Sequence, residues 1–355
     1  MNMTLNRLPS ITWYWLKMNN GSLEGVDPAG EASVKEEIPE QVTAETLRLE
    51  DLPEQATGMG KDMTALVRTS AVPVHGYETA ENQQADGVLR LNYAFENEAR
   101  SVNAVSLRAA KHSSLTVVQD FSSARDAEGF AAVQTRYLVE EGAVLKLIQI
   151  ERLGSGYTFL NDIGGRVENS GRVELIHLVL DGGHTYLGVQ TDLAGYKSAL
   201  KADIGYRVGG DHTLDINYFA NHTGEKTTCD INAKGVLRDH ARKVFRGTID
   251  LKKGSSGSVG NEKEDVLMMD DTVRNQTLPV ILCTEEDVVG NHGATIGRLD
   301  ESVLFYLQSR GMDREAVYEM MADARVASVV HLIEDERTRA EAERYLGGIS
   351  DSIEE

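Results

Sequence analysis

The chain of 355 residues carries 41% hydrophobic and 26% charged residues, an ordinary balance for a globular protein and enough to bury a large core. Its formal charge of −20 argues against a nucleic-acid partner, because neutralising phosphates needs clustered Lys and Arg and no such run occurs. No apolar stretch is long enough to span a membrane and no signal-peptide run opens the chain, so a cytoplasmic location is expected.

The first twenty residues set Leu8, Trp13, Trp15 and Leu16 among polar neighbours, which suggests a short docking helix or turn. Residues 20 to 60 mix Gly21, Gly25, Pro28, Gly30 and Pro39 with many acids. That composition reads as a solvated connection, with a helix expected from Thr43 to Leu49. Residues 1–80 are therefore expected to be mostly helical or flexible.

From about residue 85 the pattern becomes β, giving an expected core over 81–298. Leu200, Ala202, Ile204, Tyr206 and Val208 alternate with polar or small residues. The same alternation returns in Leu214–Tyr218, Cys229–Lys234 and Phe245–Leu251. A period of two means one buried face and one wet face. Turn signals such as Asn169-Ser170-Gly171, Asp181-Gly182-Gly183 and Gly209-Gly210 separate the strands. A β-sandwich or barrel and a solenoid both fit this spacing. The long run of like strands without a helical period favours the solenoid, although it repeats in pattern and not in residue identity.

After Leu299 the period changes, giving an expected helical region over 299–355. Asp300 can cap a helix through Val303, Leu304 and Leu307 that Gly311 closes. Asp313 can cap a second, with apolar positions Val317, Met320, Ala324, Ala327 and Val330. A third, polar helix from Glu334 to Leu346 is expected to end at Gly347-Gly348.

No nucleophile elbow, phosphate loop, dinucleotide fingerprint or H-E-x-x-H motif is present. Two cysteines, Cys229 and Cys283, are too few for a disulfide framework, and no C-x-x-C pair suggests zinc or redox chemistry. An iron–sulfur cluster held by one chain usually takes about four thiolates, so this chain alone is not expected to carry one. Cys229 shares a face with Ile231 and Ala233 and reads as a buried structural thiol. Cys283 closes the apolar run Val280-Ile281-Leu282 and fits a core or an accessible thiol equally.

His292 stands in Gly290-Asn291-His292-Gly293, where small neighbours leave an imidazole accessible. It suits iron ligation or proton transfer, and also a hydrogen-bonded junction histidine. Adjacent rungs of a solenoid would bring Cys283 near it, a thiol beside an imidazole. His177 interrupts an apolar strand and reads as a satisfied core residue, whereas His184, His212 and His222 adjoin turns and read as surface residues. The acidic clusters Asp270-Asp271 and Glu285-Glu286-Asp287 read as solvated turns, which leaves no carboxylate pair for hydrolysis.

Residues 279 to 321 resemble the C-terminal signature of the SufB/SufD family. The matching text is Pro279, Glu286-Asp287-Val288, His292 to Gly297, Leu299-Asp300, Leu304 to Leu307, Ser309-Arg310-Gly311 and Glu315-Ala316. Phe245-Arg246-Gly247, the stretch from Gly254 to Leu267, and the opening Asn6-Arg7-Leu8-Pro9 with Thr12 to Leu16 are also similar to the family. The resemblance implies a mainly β fold: a right-handed parallel β-helix core with helical N-terminal and C-terminal regions. It further implies a complex in which SufB and SufD pair through their β-helices and each grips a SufC ATPase. The resemblance implies, too, that ATP-driven dimerisation of SufC deforms the pair and exposes the assembly site.

By this resemblance His292 faces the subunit interface and supports iron acquisition, with Cys283 the nearest thiol. SufB-like chains carry His-Glu at this point and an upstream cysteine; here Gly293 follows the histidine and Val273 falls about where the cysteine would lie. Both departures favour the SufD branch. Many chains of that branch also have a cysteine two residues before the histidine, where this one has Gly290.

The expectation is a non-enzymatic scaffold that holds iron or an iron–sulfur cluster only transiently, at the interface with its partner. Its partners would be a SufB-like subunit and the SufC ATPase, the latter docked through Phe305, Tyr306 and Arg310 unless those aromatics pack the helix onto the core. The alternatives are a homodimeric scaffold of the same family and, from another class, a β-helix enzyme acting on an acidic or sugar substrate.

Overall fold

Side-chain alternation builds a two-sheet parallel solenoid in the computed structural model, which describes residues 1–10 and 15–351. The chain passes between the two sheets once per half-turn, giving about eight turns. The first sheet runs from Val34–Glu37 through Gln84–Phe95 and on to Ser258–Met268 and Val288–Gly297. The second runs from Val42–Leu47 through Val74–Thr79 to Arg242–Leu251 and Arg274–Cys283. Every pairing within these sheets is parallel except the first of each, where Val34–Glu37 and Val42–Leu47 lie antiparallel to their neighbours.

Strict register converts the period of two into a continuous interior. Leu115, Leu145, Val173, Leu200 and Cys229 stack on five successive strands of one sheet, and all are buried. Each such aliphatic side chain contributes about 1.5–3 kcal/mol by leaving water. Slipping one strand by a single residue would turn its whole set outward.

The corners repeat in conformation where the sequence does not repeat. Residues in the left-handed region recur one turn apart at His112, Gly142, Ser170, Lys197, Lys226 and Gly257. At each, the N–H donates to a carbonyl of the next turn, from His112 to Glu141 and Ser170 to Tyr196 through to Gly257 and Asp287. Four of the six are not glycine, so these hydrogen bonds hold a conformation that L-residues otherwise avoid.

Appended elements cover the outer faces. The helix α1 (Lys61–Ser70) buries Met63, Leu66 and Val67 against Val102, Ala104 and Phe130 of the second sheet. The segment leading into it lies so close to that sheet that a Cβ on Gly58 would fall 1.9 Å from the Val189 nitrogen, which only glycine tolerates. The helices α2 (Glu301–Gln308), α3 (Arg314–Val330) and α4 (Glu336–Asp351) cover Ile148, Ile150 and Leu178 of the first sheet. Asp300 and Asp313 cap α2 and α3 as expected, accepting from the backbone N–H of Ser302 (2.7 Å) and Ala316 (2.8 Å).

Several local expectations are corrected. Thr43 to Leu49 lies mainly in the strand Val42–Leu47, not in a helix, because pairing with Val74–Thr79 overrides local preference. The third C-terminal helix continues through Gly347-Gly348 to Asp351. α3 turns Val317, Ala322, Val326 and Val329 inward and leaves Met320 40% exposed, since small side chains let it approach the sheet. Near the N-terminus, Leu8 and Met18 pack on Leu278 while Trp15 is exposed; Trp13 and Tyr14 lie outside the described residues.

His222, expected at the surface, is fully buried because it ends a strand in register with Leu193 and Leu251. Its Nδ1 meets the Thr227 hydroxyl at 2.7 Å, and burial lowers its pKa to about 4. His177 is a core residue as expected, bonded through Nδ1 to the Tyr218 hydroxyl.

Candidate functional site

The two ends of the solenoid differ. At the first end, short antiparallel strands close each sheet and carry Lys35, Glu36, Glu37 and Glu45, devices that discourage further pairing. At the last end, Arg274–Cys283 and Val288–Gly297 are full-length parallel edge strands without an outer neighbour among the described residues. The side chains of Val288–Gly297 are largely solvent-exposed and those of Arg274–Cys283 mostly half-buried, and Val289 and Ile296 present apolar surface there.

His292 lies on the terminal strand and is exposed. It is in register with Glu262, which faces the interior and is 4% exposed. Below the end turn, Glu264 bonds the Lys243 ammonium, accepts from Thr277 Oγ1 at 2.6 Å and accepts from Tyr206 at 3.2 Å. Burial, with Glu264 nearby, pushes the Glu262 carboxyl up to about 8, so it is mostly protonated at neutral pH. An accessible imidazole therefore stands over a buried carboxylic acid and a buried ion pair. Sequence reasoning did not single out these interior groups, although alternation puts Glu262 and Glu264 on the same face as Val266.

Cys283 is also exposed, resolving the choice between core and accessible thiol. It closes the edge strand of the other sheet, in register with Leu251, and its thiol donates to the Glu285 carbonyl at 3.0 Å. The short connection after it carries the chain across to the opposite sheet. His292 and Cys283 thus share the last turn without pairing in one sheet, and no group of three metal-ligating side chains converges among the described residues. Cys229 is buried, and burial raises its thiol to about 12.

Phe305 and Tyr306 do not pack α2 onto the core, a role taken by Leu304 and Leu307. Phe305 is 74% exposed and Tyr306 55%, and the Arg310 guanidinium lies 5.3 Å from the Tyr306 ring centre. Arg310 follows the end of α2, so the structure brings it onto Tyr306 while Phe305, the preceding residue, stays exposed on the same helix.

A family model described as "SUF system FeS cluster assembly, SufBD core domain" matches residues 93–325. The iron–sulfur cluster assembly protein SufD of Bacillus subtilis is 26% identical over 257 residues, covering 71% of this chain and 58% of that protein. The SufD protein of Escherichia coli is 26% identical over 246 residues, 68% of this chain and 57% of that protein. A SufBD family protein of Mycobacterium tuberculosis is 34% identical over 113 residues, 32% of this chain and 13% of that one. The chain thus spans well under two thirds of the length of the relatives it matches. Among the described residues no helix is long and apolar enough to cross a membrane.

Proposed function

The chain belongs to the SufBD core-domain family of the SUF iron–sulfur cluster assembly system, and from that premise we propose that it acts as a scaffold subunit and not as an enzyme. A SufB-like chain pairs with the open end of the solenoid, and the SufC ATPase docks on α2 and α3. The observation that carries this reading is the asymmetry between a closed, charged first end and an open last end with two bare edge strands.

A bare edge offers rows of unpaired N–H and C=O groups and invites another strand. Two such edges at one end, with an interior between them that holds Glu262 and the Lys243–Glu264 pair beside apolar side chains, suit a second solenoid presented end to end. His292 then sits inside the junction, where a neutral imidazole can take a ferrous ion in passage. Iron or a nascent cluster is cargo shared between the two chains, and Cys283 supplies a thiol at the same end. Phe305 and Tyr306 on α2 and Arg310 just beyond it have the character of interface anchors, and the stacking of Arg310 on Tyr306 fixes both before contact.

The test is co-expression with the SufB and SufC of the same host, followed by iron analysis and absorbance of the purified complex. His292→Ala is expected to assemble and lose iron. Phe305→Ser with Tyr306→Ser is expected to lose the ATPase and keep the SufB-like partner. Failure of the wild-type chain to bind either partner would refute the scaffold role, and a two-chain mass for the isolated protein would point to self-pairing.

A further inference from the structure

A groove of about 630 Å³ lies against the outer face of the second sheet, roofed by the segment that follows Val42–Leu47. Leu47, Leu52, Pro53, Ala56 and Leu138 supply apolar walls. Its volume is within the range of small-molecule sites, about 300–1,000 Å³. Arg136, only 6% exposed, lines it.

The pairing of arginines here is the reverse of what burial demands. Arg108, half exposed, meets Glu140 at 2.7 Å and Glu78 at 3.1 Å, and Arg166, also half exposed, meets Glu168 at 2.6 Å. The buried Arg136 makes no direct ion pair among the described residues, although the buried Asp162 carboxylate behind it partly offsets the cost of its burial. Among the described residues its guanidinium makes one hydrogen bond, from Nε to Gln134 Oε1 at 3.1 Å. A buried cation is costly unless paired, so the geometry leaves room for a ligand anion at its two terminal nitrogens.

The guanidinium is also held in place from behind. Gln134 donates onward to Asp162 (2.8 Å), whose other oxygen accepts from the Met59 backbone (2.9 Å). Ser106 and Gly164, the register neighbours of Arg136 on either side, are too small to cover it.

The rest of the lining limits the ligand's charge. Three arginines face seven carboxylates, and the carboxylates of Glu45 and Glu54 make no ion pair or hydrogen bond among the described residues. A polyphosphate or other polyanion would be repelled. One negative group is wanted at Arg136 and one positive group toward Glu45 and Glu54, with an apolar body between. We propose that this groove binds an apolar zwitterion, an α-amino acid or short peptide, with its carboxylate on Arg136 and its ammonium at the acidic rim. This site is remote from the edge strands and does not depend on the scaffold role.

The probe is L-leucyl-L-leucine, titrated calorimetrically into the full chain beside its C-terminal amide, its N-acetyl form and ATP. The free dipeptide is expected to bind saturably, and the amide and N-acetyl forms about tenfold or more weaker. ATP is expected not to bind. Arg136→Gln should abolish the difference between acid and amide, and Arg136→Lys should retain part of it. Equal binding of acid and amide by the wild type, or no saturable dipeptide binding, would overturn the proposal without any variant. Binding of ATP in preference to the dipeptide would overturn it as well.

Discussion

Replacing Glu262 by Gln should change how stability depends on pH, and the size follows from the burial of this side chain. Glu262 is 4% exposed, and its Oε2 has no hydrogen-bond partner among the described residues. Burial raises its folded-state pKa from 4.5 to about 8. The folded chain therefore holds a proton that the unfolded chain has released between those two values. Stability contributed by that proton is fully present below about pH 4.5 and is lost as pH rises through 8. The slope is about 1.4 kcal/mol per pH unit across the window, or on the order of 5 kcal/mol in all. Gln has the shape of the protonated acid and does not titrate, so Glu262→Gln should resemble the wild type near pH 5 and exceed it near pH 9. Urea denaturation followed by far-ultraviolet circular dichroism, repeated from pH 5 to 9, measures both curves. Parallel curves would show that Glu262 is already charged in the fold, and the account of the interior beneath His292 would fail.

The acid side should have a different origin: burial lowers the pKa of His222 to about 4 and of His177 to about 3. Their contribution is present above the unfolded value near 6.5 and is lost as pH falls, so His222→Gln should flatten the decline below pH 6, read as the thermal midpoint. Arg246, 1% exposed, joins Asp215 at 2.5 Å and donates to the Met18 carbonyl at 2.7 Å. Arg246→Ala should cost about 3–5 kcal/mol by leaving Asp215 buried without its partner, and a loss below 1 kcal/mol would contradict the geometry. An aromatic disulfide reagent should titrate Cys283 alone in the native protein and Cys229 only after denaturation, because the latter is buried with its thiol raised to about 12.

Much of the architecture is legible in the chain itself. The alternation of Leu200, Ala202, Ile204 and Tyr206 specifies a strand with one face inward, and those residues do line the interior. The change of period after Leu299 and the capping aspartates Asp300 and Asp313 specify helices, because each depends on residues within one turn of the backbone. The exposure of His292, by contrast, comes from its place on the terminal strand and not from the glycines beside it.

What the tertiary structure decided depends on residues a full solenoid turn or more apart. Period two says that a strand has two faces, but pairing decides that Thr43 to Leu47 joins a sheet edge, that His222 ends inside and that His292 stands over Glu262. It also parts Cys283 from His292, which are close in sequence, by sending the chain across to the opposite sheet. The corner hydrogen bonds recur without a shared residue because they join backbone to backbone, which leaves no mark on side-chain identity. Arg136 is the extreme case. In the sequence it is one arginine among many, and only the fold buries it, withholds a direct ion pair and opens a groove before it.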